Sequence, residues 1–200
     1  MGNSDLHLGK LIKGFRLSCQ AEGKSPNTIS WYICFLAKFQ QYLEINDMPT
    51  EVGQINKSHI REFIRYLQTE VMTPHTDRAL SPATVQGYVR TLKAFFSWLE
   101  REEYVSSNEM RRVPVPKAPI KIINTFNNEQ ISKLGETCQN SNGNGHRDLT
   151  ILLLLLDSGI RVSELVNIDL VDLNLDEGYI KISIAKGGRQ RIVPIGSLVQ

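Results

Sequence analysis

Apolar side chains return at helical spacing four times in the first hundred positions. Leu6, Leu8, Leu11, Ile12, Phe15 and Leu17, with lysines between them, predict a helix from residue 5 to about 22. Glu22-Gly23-Lys24 breaks it. Ser25-Pro26-Asn27-Thr28 supplies a cap and an early proline for a second helix, to about Ile45, striped by Ile29, Tyr32, Ile33, Leu36, Phe39 and Leu43. Beyond Asp47-Met48-Pro49, either Asn56 or Ser58 caps a third helix through Ile60, Phe63, Ile64 and Leu67. A polar loop over residues 72–80, broken by Pro74, leads to Ser81-Pro82-Ala83-Thr84. That repeat of the Ser-Pro start launches a fourth helix through Val85, Tyr88, Val89, Leu92, Phe95, Phe96 and Leu99. Stripes this broad predict a four-helix bundle over residues 1–105, with Trp31, Tyr88, Phe95 and Trp98 in its core or at its edge.

The helical pattern then stops. Residues 106–123 carry Pro114, Pro116 and Pro119, and Arg111, Arg112, Lys117 and Lys121 with no acid between them. Such a segment reads as a stiff basic connector suited to a duplex, or as a linker kept soluble by its charge. A second domain is predicted over residues 124–200. Asn127 or Asn128 caps its first helix, through Ile131 and Leu134, and Asn140 to Gly145 form a loop. The run Ile151 to Leu156 is far short of the roughly 18 residues that span a bilayer, and predicts a helix buried on every side. Gly159 stands where a left-handed cap ends such a helix. Alternation resumes in Gly178 to Ile184 and Arg189 to Ile195 around the turn Ala185 to Gly188, which predicts a β-hairpin. The fold class is therefore mainly α with a small β-sheet.

Composition narrows the picture without deciding it. A net charge of +2 and 41% apolar residues neither demand nor exclude a nucleic-acid partner. Cys19, Cys34 and Cys138 form no CxxC pair and are expected to be buried, reduced thiols suited to a cytosol. His7, His59, His75 and His146 are scattered as surface or loop residues, so no metal site is expected. There is no signal peptide, myristoylation pattern, GxGxxG or P-loop, and a soluble intracellular protein is expected.

Two positions carry candidate chemistry. Arg161 follows the buried helix at a turn, where its guanidinium can clamp a phosphate in bidentate fashion or simply pair with Glu164 at i+3. Lys186 stands at the hairpin tip with Arg189 and Arg191 behind it and no acid between Gly178 and Gln200. The order Ser158-Gly159-Ile160-Arg161-Val162-Ser163-Glu164-Leu165, then Asp172, then a hairpin with Lys186-Gly187-Gly188-Arg189-Gln190-Arg191-Ile192-Val193-Pro194-Ile195, resembles the tyrosine recombinase or phage integrase family.

That resemblance implies a SAM-like core-binding domain in the bundle, followed by the first part of an α+β tyrosine recombinase catalytic domain. Helices two and four would approach the DNA major groove. Lys24, Asn27, Thr28, Lys57, Ser81, Thr84, Arg90 and Lys93 on the bundle would contact DNA, as would Arg111, Arg112 and Lys117 in the connector and Arg189 and Arg191 on the hairpin. The plainer reading of the bundle residues is a solvated face. In such enzymes a tyrosine attacks a phosphodiester without metal or cofactor. Arg161 matches the first phosphate-stabilising arginine, Lys186 the acid that protonates the leaving oxygen, and Glu164 a supporting acid beside the arginine. The family's His-x-x-Arg helix, its further His or Trp and its tyrosine nucleophile have no match here, and Tyr179 precedes the lysine in a strand. The 200 residues alone are therefore expected to bind but not to cut. Implied partners are a double-stranded recombination site and other recombinase subunits, assembled as a tetramer, in the cytoplasm at the nucleoid. The alternatives are a catalytically silent DNA-binding protein, a helical interaction protein and, more distantly, a type IB topoisomerase.

Overall fold

The computed structural model describes residues 6–73, 78–119, 122–141, 143–183 and 189–196. The chain divides into two compact units, Met1–Lys121 and Ile122–Gln200.

The first unit holds α1 (Leu8–Ala21), α2 (Pro26–Ile45), α3 (Lys57–Thr69) and α4 (Pro82–Arg101). Each start satisfies amides that a first turn leaves open. Ser25 and Ser81 accept from the amides of Thr28 and Thr84 at 3.2 and 3.1 Å, each with proline next in sequence. Asn56 rather than Ser58 caps α3, accepting from the amides of Ser58 and His59. The four stripes meet in one core centred on Phe39, Phe63, Phe95 and Phe96, all fully enclosed. Between α2 and α4 the Phe35 and Tyr88 rings stack at 3.9 Å. Gly87 permits that approach, because a Cβ there would stand 3.0 Å from the Phe35 ring.

Three residues expected in a stripe, at the core or its edge, or buried face outward instead. Leu17 and Trp31 are exposed at 67% and 64%, and Cys34 is exposed as well. Each lies two positions from a buried residue (Phe15, Ile29 and Leu36), so about 200° of helical turn points it the opposite way. Trp31 leans on Phe35 at 5.5 Å, and Trp98 alone of the two tryptophans is core. Of the cysteines only Cys19 is buried; Cys138 is half-buried.

The connector also differs from its expectation, for its first half packs on the bundle. Asn108 caps a 3-10 turn, Glu109–Arg112, that delivers Met110 and Val113 into the core at 1% and 2% exposure. The Lys93 ammonium donates to the Met110 carbonyl at 2.9 Å, and the Gln86 amide to the Pro116 carbonyl at 2.8 Å. Two apolar residues three apart suffice to dock a short turn, too little for a periodic signal.

The second unit comprises α5 (Asn128–Gln139), α6 (Gly145–Ser158), the four-residue α7 (Val162–Leu165), a 3-10 turn at Leu170–Asp172, and strands β1 (Leu173–Asn174), β2 (Tyr179–Ile182) and β3 (Arg191–Pro194). The strands form an antiparallel sheet in sequence order. Asn127, not Asn128, caps α5, in a reciprocal pair with Gln130. Gly159 ends α6 at φ 61°, the left-handed geometry its position predicts. The core joins Leu154 and Ile160 to Ile180, Ile182, Val193 and Ile195. The run Ile151 to Leu156 is not buried on every side, since only Leu154 is enclosed and Leu156 is 45% exposed. Ile151, Leu152, Leu153 and Leu155 are half-buried, and composition alone does not reveal how many sides of a helix have neighbours. Strand β1 was not predicted, because two residues carry no alternation. Residues 184–188, Lys186 among them, lie outside the described residues. Among the described residues no helix is long and apolar enough to cross a membrane.

The docking of the 3-10 turn is directly measurable. Met110→Ala should destabilise the first unit by about 2–5 kcal/mol through reduced burial and a cavity. Its exposed neighbour Arg112→Ala should change stability by no more than about 0.5 kcal/mol. Urea unfolding of both variants checks this, and equally small effects would show that the turn is not packed.

Candidate functional site

Arg161 stands between α6 and α7 in extended backbone, φ −77° and ψ 149°, as the N-cap of α7. The left-handed Gly159 stops α6, Ile160 plugs into the core, and Arg161 emerges exposed. Three residues on, Glu164 is buried, its side chain 1% exposed against 59% for Arg161. Four hydrogen bonds converge on this carboxylate. Its Oε2 accepts from the Arg161 amide at 2.9 Å and from Arg191 Nη2 at 2.8 Å. Its Oε1 accepts from Arg161 Nη1 and Arg191 Nη1, both at 2.9 Å. Arg191 therefore grips both oxygens while Arg161 holds one through a single guanidinium nitrogen. The remaining donors of Arg161 meet no acceptor among the described residues, so it pairs with Glu164 and still presents an open cationic edge.

A second buried acid, at the end of the 3-10 turn, works the same way just beyond β2. Asp172, 8% exposed, accepts from the Ser183 hydroxyl at 2.7 Å and from the Asp169 amide at 3.2 Å. Ser183 and Arg191 flank the segment that carries Lys186, so both roots of the hairpin are tied to buried carboxylates. The Arg191 guanidinium, followed by the Arg161 amide, holds the Glu164 carboxyl down at about 2. Chiefly the Ser183 hydroxyl lowers that of Asp172. Both acids are thus fixed anions near neutral pH.

The other predicted contacts divide into two groups. Exposed positions are Asn27 in the first turn of α2, Lys57 in that of α3, Ser81 capping α4, Arg90 on α4, Arg112 and Lys117 in the connector, and Arg189 before β3. Thr28 and Thr84 are half-buried, their hydroxyls 2.8 Å from Ser25 and Ser81 in two near-identical helix starts. The rest have protein partners. Lys24 pairs with Glu22, which also takes Arg101 at 2.8 Å. Arg111 pairs with Glu100 at 3.0 Å, and Lys93 anchors the 3-10 turn. Arg191 is a correction, because its guanidinium is clamped on Glu164 rather than presented as an open contact. A signal for this was present: strand alternation puts Arg191 on the same face as Val193 and Ile195, and an inward arginine requires a buried acid. The role of Ser183 went unpredicted, and no spacing rule marks it.

Titration tests the cluster. Glu164 is depressed from an ordinary 4.5 to about 2, so its stabilisation is complete above about pH 4.5 and is lost as pH falls towards 2. Glu164→Gln should melt at lower temperature than the parent at neutral pH. The gap should close between about pH 4.5 and 2, as the parent's carboxyl protonates. Asp172 and Glu22 titrate in both proteins and cancel in the difference. A gap unchanged down to pH 2 would show that the carboxylate is not so held.

Comparison with known proteins places this geometry. Residues 11–106 match the Phage integrase, N-terminal SAM-like domain, and residues 124–199 match the Phage integrase family. Tyrosine recombinase XerD of Staphylococcus saprophyticus is 32% identical over 178 residues, 89% of this chain and 57% of that protein. The XerD of Staphylococcus haemolyticus is 31% identical over the same span. The chain thus covers a little over half the length of the curated relatives it matches. Among solved structures, a lambda integrase dimer bound to a COC′ core site superposes with a TM-score of 0.71 at 15% identity, covering 94% of this chain and 62% of that one. The Tn1549 transposon integrase in complex with circular intermediate DNA gives 0.69 at 16% identity, covering 97% and 62%. At that identity the two structures speak for the fold alone. With two matched regions that together span most of it and XerD relatives aligned over 89% of it, the chain belongs to the phage integrase family of tyrosine recombinases.

Proposed function

We propose that this chain forms the DNA-holding and phosphate-gripping part of a site-specific recombinase that cuts and rejoins DNA in the cytoplasm, together with other recombinase subunits on a double-stranded site. The observation that carries the reading is Arg161, exposed at 59% yet anchored through Glu164, which is 1% exposed. A guanidinium held from below and open above suits a phosphate whose charge grows during reaction. In the proposed step a tyrosine oxygen attacks phosphorus and the bond to the 5′ oxygen breaks. This leaves a 3′-phosphotyrosyl link and a 5′-hydroxyl that takes its proton from Lys186. Arg161 stabilises the pentavalent phosphate. Tyr179 is not the nucleophile in this reading, since it lies in β2 with its hydroxyl accepting from the Asn174 amide at 3.2 Å. The bundle and the basic residues after it hold the duplex, and the division into clamp, connector and catalytic portion is part of the same proposal.

Two measurements test it. The 200-residue protein should bind duplex DNA with an affinity that falls steeply with salt. Arg112→Ala with Lys117→Ala, both exposed and unpaired among the described residues, should flatten log K against log salt by about 0.9 for each phosphate no longer neutralised. Absence of any salt-sensitive band shift would favour a helical interaction protein instead. On a nicked suicide duplex the same protein should form no covalent adduct, and an adduct mapped to any of its six tyrosines would overturn the assignment of the chemistry.

A further inference from the structure

Arg191 is the least expected member of the cluster. It lies on β3, 27 residues from Glu164, and takes both carboxylate oxygens at 2.9 and 2.8 Å. Arg161 is left with Oε1 alone for its side chain, through Nη1 at 2.9 Å. Were Arg191 absent, both oxygens would have lone pairs left to satisfy. The other side chain bonded to this carboxylate is Arg161, already held at one corner. A guanidinium pairs with a carboxylate best as a fork, two parallel bonds at once. Arg161 would complete that fork by turning inward, and its exposed edge would be withdrawn.

We infer that Arg191 is a positioning residue: by saturating Glu164 it keeps Arg161 turned outward for a DNA phosphate. The charges agree. Two guanidinium groups on one carboxylate leave the cluster with a net positive charge at its open edge, whereas one guanidinium on one carboxylate is neutral. The inference rests on the assignment of Arg161 to a phosphate, and it adds that the hairpin strand decides whether Arg161 is available. Because Arg191 lies just after the segment bearing Lys186, the same contact sets one root of the hairpin beside the arginine.

The test uses the 200-residue protein and a fluorescein-labelled duplex of mixed sequence, with affinity measured over a range of salt. Arg161→Ala should lower the slope of log K against log salt by about 0.9, the equivalent of one phosphate. Arg191→Met should lower it by the same amount, although the side chain removed touches Glu164 and not DNA. Adding Glu164→Gln to Arg191→Met should restore the parental slope, because an amide no longer draws Arg161 inward. A purely structural role predicts no such rescue. Should Arg191→Met fail to fold, Arg191→Lys keeps the charge on the strand. Its ammonium meets one oxygen at a time, so the slope should fall part of the way.

The outcomes separate cleanly. An unchanged slope for Arg161→Ala would refute the phosphate assignment and this inference with it. A reduced slope for Arg161→Ala with a parental slope for folded Arg191→Met or Arg191→Lys would overturn the inference alone. A reduced slope in Arg191→Met without rescue by Glu164→Gln would overturn it too, leaving Arg191 as a direct contact or a packing residue.

Discussion

The Glu164 carboxylate is the constraint on which the second unit turns. An anion enclosed at this depth persists only when every oxygen is met by donors, and an unmet one would be expelled or protonated. Here the donors come from the start of α7 and from β3, so satisfying one side chain brings together two segments distant in sequence. The apolar core of that unit is small, built on Leu154, Ile160 and four residues of the sheet and its end. Apolar burial is non-directional and would tolerate some sliding of such elements. A four-bonded carboxylate is directional and does not. Asp172 repeats the device for the other strand by holding Ser183.

The first unit is organised by opposite means. Its core is broad and aromatic, with Phe15, Phe39, Phe63 and Phe95 in ring contacts and hardly a polar group inside. Its polar chemistry sits at helix ends and along the outside. Packing of that kind gives a rigid body whose surface is free to vary. The 3-10 turn at Glu109–Arg112 extends this body beyond α4, so less of the connector stands apart from the bundle than its prolines suggest.

The two arginines of the cluster differ in depth. Arg161 and Arg191 carry the same group and share one carboxylate, yet one is exposed at 59% and the other at 38%. What distinguishes them is the element beneath. Arg161 opens a four-residue helix at the surface, while Arg191 belongs to a strand face that alternates into the core with Val193. Chemical type alone would have assigned both to a ligand.

Patterns repeated over many residues were legible in the sequence. The four stripes with their Ser25 and Ser81 caps, the glycine stop at Gly159 and the hairpin alternation are local signals, set by helical and strand periods and by the unpaired amides of a first turn. They were enough to order the elements and to single out Arg161 and Glu164. What the sequence did not carry was direction and partnership. Whether Trp31 faces inward depends on which side of α2 meets α4, and a bulky aromatic fits the edge of either face. How much of Ile151 to Leu156 is enclosed depends on how many elements surround α6. That Met110 docks and that Arg191 seeks Glu164 are contacts across 17 and 27 residues, made by single side chains with no periodicity to announce them. Only the tertiary structure brings an inward arginine to a buried acid, because the two stand on elements 27 residues apart that no local pattern connects.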